Sequence, residues 1–298
     1  MTIERFLGAT WAAIHGPRGA RPLAVWTLES GFRGLMPGPA PREIAWEGLR
    51  ALRREMPFQL VEGLSLGGAR SGRDRPDRGL GSQHRGDRTT AVAAVQGALE
   101  RARALGIRRV LVEPGAVSLP DGVDPVDVAT ASVPEAARDR AVAARDRGLD
   151  GALDAACRSL HSLCKANPDM ELCLVPGRGV ESLGSLVGLR AIFDDLQPLP
   201  LGYWHEAAVA AGRQEFLGEP QGAWLEQFGS LLRGLSVADR AEGSIQMPPG
   251  SGLVDYPLLT NYVPRAASGV FPVVVDLDPG VPPVELPGVH AFLDRLGL

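Results

Sequence analysis

Cysteine is scarce in this chain. Cys157, Cys164 and Cys173 are the only three among 298 residues, and no two of them form a C-x-x-C pair. An odd count without an export signal points to reduced thiols in a cytoplasmic setting. All three fall within helix or strand patterns, so they are expected as buried thiols and not as ligands. The chain has no apolar run long enough to span a membrane. Met1-Thr2-Ile3-Glu4-Arg5 has neither the charged nor the apolar region of a signal peptide. Excess positive charge is missing as well: the net charge is −4, which argues against a broad nucleic-acid surface. There is no G-x-S-x-G elbow and no Ser-His-Asp order, so the usual serine-hydrolase arrangement is absent. No G-x-G-x-x-G follows a strand, and Gly177-Arg178-Gly179 is too short to hold a dinucleotide. These absences leave no nucleic acid and no membrane among the expected partners, and a small molecule as the expected ligand.

What is present is alternation. Hydrophobic residues make up 45% of the chain, enough for a large core. Strand signals over 6–13, 33–36, 58–66, 109–115, 171–175, 201–206, 235–239 and 270–276 are separated by helical signals. Those helices are expected over 22–30, 41–55, 89–106, 135–166, 183–195, 221–232 and 287–298, with a break in the long one near 148–151. A stretch rich in glycine, serine and arginine, 67–88, interrupts the pattern. It reads either as a solvated loop or as an arginine-bearing lid over an anionic substrate. With one more helix after the loop 248–256, the eight strands make eight strand-helix units and predict an α/β protein, a single (β/α)8 TIM barrel over 1–298.

Three segments carry a family resemblance. Leu201-Gly202-Tyr203-Trp204-His205-Glu206-Ala207 resembles a G-Y-W-H-D segment, Pro248-Pro249-Gly250-Ser251-Gly252-Leu253-Val254-Asp255-Tyr256 resembles a P-G-x-G-x-V-D loop, and the helix-strand step ending in Val110-Leu111-Val112-Glu113-Pro114-Gly115 has a counterpart too. Together they are similar to the xylose-isomerase-like barrels, which include sugar isomerases, epimerases, dehydratases and family-2 apurinic endonucleases. That resemblance implies a divalent metal held by carboxylates and imidazoles at the strand ends. The pattern here departs from it. Glu206 stands for an aspartate, Val209 for a histidine, Leu174-Val175-Pro176 lacks the fifth-strand glutamate, and Ser236-Val237-Ala238-Asp239 keeps one carboxylate of an H-x-x-D.

In a barrel, chemistry gathers at the C-terminal ends of the strands. The acids expected there are Glu113, Glu206, Asp239 and Asp276. Glu113, Glu206 and Asp276, with His15, are the expected acid-base residues. Arg178, Trp204, His205 and Ser236 are the expected substrate contacts, although strand alternation turns His205 away from Glu206. Glu206, Asp239 and Asp276 form the candidate metal set, all oxygen, which suits weakly bound Mg²⁺ or Mn²⁺ and makes zinc unexpected. The expected activity is that of a sugar isomerase, epimerase or dehydratase acting on a small polyol or sugar-like compound, with its metal site weakened or lost. The alternative is a catalytically inactive barrel that binds a small molecule or a partner protein.

Overall fold

The structure, a computed structural model, describes residues 2–61, 63–65, 79–129, 133–241, 243–263 and 270–298. Runs rich in valine and leucine, too short for helices and apolar on both faces, become parallel strands covered by helices. In chain order, β1 (Thr2–Gly8) leads into α1 (Ala9–His15) and α2 (Ala20–Glu29), and β2 (Gly34–Met36) into α3 (Trp46–Leu52). Two short pieces follow, β3 (Gln59–Leu60) and β4 (Leu64–Ser65), and then α4 (Arg85–Leu105). Next come β5 (Arg109–Val112), α5 (Glu135–Ala166), β6 (Glu171–Leu174) and α6 (Leu186–Asp195). The chain continues with β7 (Leu201–Glu206), α7 (Ala207–Leu217), α8 (Gln221–Phe228) and β8 (Leu232–Val237). A hairpin of β9 (Asp239–Ala241) and β10 (Ser244–Met247), α9 (Tyr256–Tyr262), β11 (Val270–Val275) and α10 (Leu286–Leu296) complete it.

The main sheet runs β3-β2-β1-β11-β8-β7-β6-β5-β4, with every pair parallel. Its two ends are consecutive in the chain. Gln59 and Leu60 pair with β2, and Leu64 and Ser65 pair with β5, so one interrupted strand closes the ring. Counting it once gives eight staves: the expected (β/α)8 barrel. No helix among the described residues is long and apolar enough to cross a membrane.

The lumen is layered. Phe6, Met36, Val61, Leu111, Cys173, Trp204 and Val274 form its apolar middle. A Cβ on Gly234 would overlap the Trp204 ring, so this position must stay glycine for the indole to fit. Below lies an ionic layer at the strand starts: Glu171 receives both Arg109 (2.6 Å) and Arg233 (2.6 Å). Above lie the strand ends and their carboxylates. The larger core, between strands and helices, includes Trp11, Leu99, Leu160, Tyr203 and Trp224.

Several element boundaries differ from the sequence expectation. The first strand stops at Gly8, and Trp11 and His15 belong to α1. Helix α5 runs unbroken through Gly148 and Gly151. A Cβ at either would collide with Val117 or with Gln83, so these glycines serve close packing and not a turn. Helix α4 begins at Arg85, capped by His84, whose ring accepts from the Asp87 N–H (3.4 Å). Of the arginine-rich stretch, 67–78 lie outside the described residues, and Arg88 donates to the Ser82 carbonyl (2.8 Å). All three cysteines are buried and free. Burial pushes the Cys157 thiol up to about 12 and Cys164 up to about 11, and drives Cys173 up as well, so none is a ready thiolate.

Candidate active site

Strand β7 ends in Glu206, β8 in Ser236-Val237, and Asp276 follows β11. These strands are neighbours in the order β7-β8-β11, so their last inward-facing residues meet. Glu206, Ser236 and Asp276 line one small cavity of about 40 Å³ together with Gln246 and Ala238. The Trp204 indole N–H donates to Ser236 Oγ (2.9 Å), and the Ser236 hydroxyl reaches Glu206 Oε1 (3.5 Å). Gln246 Nε2 donates to Asp276 Oδ2 (3.0 Å).

The antiparallel hairpin β9–β10 brings Gln246 here. Sequence reasoning missed both the hairpin and the glutamine. The hairpin stands on Asp239, which is fully buried and accepts from three backbone N–H groups: Arg240 (2.8 Å), Gly250 (2.9 Å) and Val254 (3.0 Å). Asp239 therefore clamps the Pro248–Tyr256 loop and is not available as a metal ligand, which corrects the expected ligand set. Gly250 (φ +89°) adopts a left-handed conformation beneath this clamp. Asp255 caps α9 through the Leu258 N–H (3.0 Å).

Glu113 lies across β6 from this group and does not line the cavity. It accepts from the Ser182 hydroxyl (2.7 Å). Beside it, Glu181 is 3% exposed, and burial, with the charges of Glu113 and Asp127, raises its carboxyl above the usual range. No sequence signal marks Glu181 or Ser182, because each acquires its environment from the packing of two loops.

The remaining expected contacts lie elsewhere. His205 is 1% exposed in the outer layer, its Nδ1 on the Tyr203 hydroxyl (2.7 Å) and its Nε2 without a partner. Burial pulls its pKa down to about 3, so it is a neutral packing residue and not a substrate contact. Trp204 is fully buried below the mouth and donates to Ser236. Arg178 is already paired with Asp127 in two contacts (3.1 and 2.9 Å), joining the loops after β5 and β6, and so does not offer a ready anion site. His15 Nε2 is 2.9 Å from the Pro279 carbonyl oxygen and its ring rests on Trp11 (4.4 Å) at the rim.

No protein-family model matches the chain, and no curated protein matches it by sequence. Solved structures do match over its whole length. A D-tagatose 3-epimerase-like protein aligns with TM-score 0.65 at 15% identity, covering 99% of this chain and 97% of the other. A 3-keto-D-glucoside 4-epimerase from E. coli aligns with TM-score 0.67 at 16% identity, covering 99% and 100%. The chain shares the TIM-barrel fold of these solved structures. A family-2 AP endonuclease from Brucella melitensis shares it, with TM-score 0.63 at 13% identity over 98% and 99% of the two chains.

The family resemblance implies a divalent metal, and the residues of this mouth do not fit one. Val209 sits on α7 inside the core, Val175 packs on the apolar lumen, and Asp239 spends both oxygens on backbone N–H groups. Among the described residues no group of three or more His, Cys, Asp or Glu is arranged to hold an ion.

Proposed function

We propose that the protein is an isomerase or epimerase that moves a proton on the carbon next to a carbonyl of a small sugar-like or polyol-derived compound. The observation that carries this reading is the meeting of Glu206, Ser236, Gln246 and Asp276 in one cavity at the C-terminal mouth. One of the two acids, as carboxylate, removes the proton and is left protonated, giving an enediolate; the other, starting as the carboxylic acid, delivers its own proton to carbon and is left ionised. Ser236 orients Glu206 and Gln246 orients Asp276. The cavity, about 40 Å³, accommodates the reacting atoms and not a whole sugar, so the β9–β10 hairpin must shift to admit substrate. The three buried thiols suit a reducing, cytoplasmic setting.

The misfit of the metal set keeps the second reading in play, a barrel that binds a small molecule or partner without turning it over. One experiment separates the two. Purified protein is incubated in D₂O with a panel of ketoses and keto-polyols, and deuterium at the carbon beside the carbonyl is followed by NMR. Exchange that disappears in Glu206→Gln and survives chelation with EDTA supports the proposal. Activity restored only by Mn²⁺ after chelation would mean that a cation does the work assigned here to the carboxylates. No exchange with any compound favours the binding barrel.

A further inference from the structure

One buried acid at the mouth end takes no part in the cavity of Glu206 and Asp276. Glu181 stands in the loop between β6 and α6, where that loop meets the one between β5 and α5. Four main-chain hydrogen bonds stitch the two loops together. Leu183 N–H donates to the Gly115 carbonyl (2.8 Å), Val117 to Glu181 (3.0 Å), Val180 to Val126 (2.8 Å) and Val128 to Arg178 (2.9 Å). Apolar side chains lie under both ends of this seam, Val117 with Leu183 at one and Val126 with Val180 at the other. Glu181 sits between them. Its side chain is almost wholly buried, and its Oε2 has no hydrogen-bond partner. Backbone hydrogen bonds at Glu181 and Val126 hold the carboxyl, so it touches both loops. It folds back over Gly179, where a Cβ would collide with Oε1. The charged groups around it come from several elements. Glu113 closes β5, and Asp127 lies in the facing loop, whose Asp121 and Asp124 are exposed. Arg178 of its own loop pairs with Asp127 (2.9 Å). Arg145 of α5 pairs with Asp146 (2.8 Å) and reaches the Val180 carbonyl (3.4 Å). Arg213 of α7 pairs with Glu219 (2.7 Å) and donates to the Gly177 and Gly179 carbonyls (2.8 and 3.0 Å). Each of these guanidiniums is thus turned to another carboxylate, and among the described residues none pairs with Glu181.

A carboxylate costs far more to bury than a carboxylic acid, above all when one oxygen meets no donor. Burial raises the Glu181 carboxyl above its usual range. The charges of Glu113 and Asp127 add to this, and the two backbone hydrogen bonds oppose it. We propose that Glu181 is a pH-operated latch: with its proton on, it ties the loop after β5 to the loop after β6, and losing the proton lets them part. Parting the loops admits water, so the open form ionises as an ordinary glutamate. Between the ordinary range and the raised one, the closed form therefore holds one more proton than the open form. The seam is most stable below the ordinary glutamate range and weakens as the pH rises through that window. Ser182 rides on the same loop, and its hydroxyl donates to Glu113 (2.7 Å), so opening strips Glu113 of that donor. The latch thus ties solution pH to the acid on the β5 side of the mouth, whatever reaction the mouth performs.

Amide hydrogen exchange of the full chain, followed by NMR from about pH 5 to 9 and corrected for the intrinsic pH dependence of exchange, tests this. The N–H groups of Val117, Val128, Val180 and Leu183 should lose protection as the pH rises, by up to about tenfold per pH unit, and then level off. The Val175 N–H, bonded to the Val112 carbonyl (3.2 Å) between β5 and the end of β6, should keep its protection and serves as the reference. Glu181→Gln keeps the size of the side chain and removes the titrating proton, so the four amides should become independent of pH. Should that variant fail to fold, Glu113→Gln takes its place: it removes a neighbouring negative charge and should bring the levelling-off to lower pH. The proposal is overturned if the four amides follow Val175 at every pH. It is overturned equally if Glu181→Gln keeps the pH dependence of the unaltered protein, or if Glu113→Gln leaves the levelling-off where it was, since another group would then be titrating.

Discussion

The two ends of the barrel handle charge in opposite ways. At the N-terminal end, acids and bases pair across strands, as Glu171 does with Arg109 and Arg233. At the mouth, hydroxyls and an amide donate to the acids: the Ser236 hydroxyl to Glu206 and the Gln246 amide to Asp276, with the Ser182 hydroxyl on Glu113 two strands away. Ion pairing across strands holds staves in register. Hydrogen bonds from hydroxyls and amides orient a carboxylate without cancelling its charge. The base is therefore built for cohesion and the mouth for chemistry, even though the same strands supply both.

The sharpest way to break this contrast is Glu206→Gln. If the mouth is catalytic, turnover of a substrate found by the exchange experiment should fall by about 10²–10⁴, the range for loss of a general acid or base, with little change in melting temperature. Asp239→Ala should do the reverse. Removing an acceptor of three backbone N–H groups should cost about 3 kcal/mol of stability by denaturant titration and should loosen the hairpin that carries Gln246. An unchanged midpoint would show that the clamp is dispensable. At the base, Glu171→Gln should lower stability by about 2 kcal/mol, between the values for exposed and buried pairs, and should leave activity intact.

The smallest effect near neutrality belongs to His205. Its folded pKa, about 3, lies below that of the free side chain, so the unfolded chain binds the extra proton between about pH 6.5 and 3. Stability from this group is complete above the unfolded value and is lost as pH falls through that window. His205→Gln, which keeps an acceptor for Tyr203, should flatten this part of the stability profile while changing little at pH 7. An acid profile identical to that of the unaltered protein would mean that His205 does not titrate on unfolding.

Strand ends were legible in the sequence because buried parallel strands read as short apolar runs, and the acid closing each run marks the mouth. Glu206 and Asp276 were found in this way. Asp239 was placed by the same logic, but its role was hidden, since two of its three N–H partners come from 11 and 15 residues further along. Helix α7 is not among the expected helices: almost all of its first two turns is buried, so it lacks the polar face that marks an amphipathic helix. Gln246 left no trace in the pattern, because a hairpin folded over the mouth, and not a strand end, delivers it.

The interrupted strand that closes the ring gives the barrel a clasp. β1 and β11 share six consecutive partners, whereas β3 holds β2 through two and β4 holds β5 through two. Amide hydrogen exchange should therefore be fastest along 59–65 and slowest along the β1–β11 seam, with the barrel breathing open at the clasp well before it unfolds as a whole. Gln59, Leu60 and Val61 also line a cavity at the N-terminal end, so the clasp forms part of that cavity's wall.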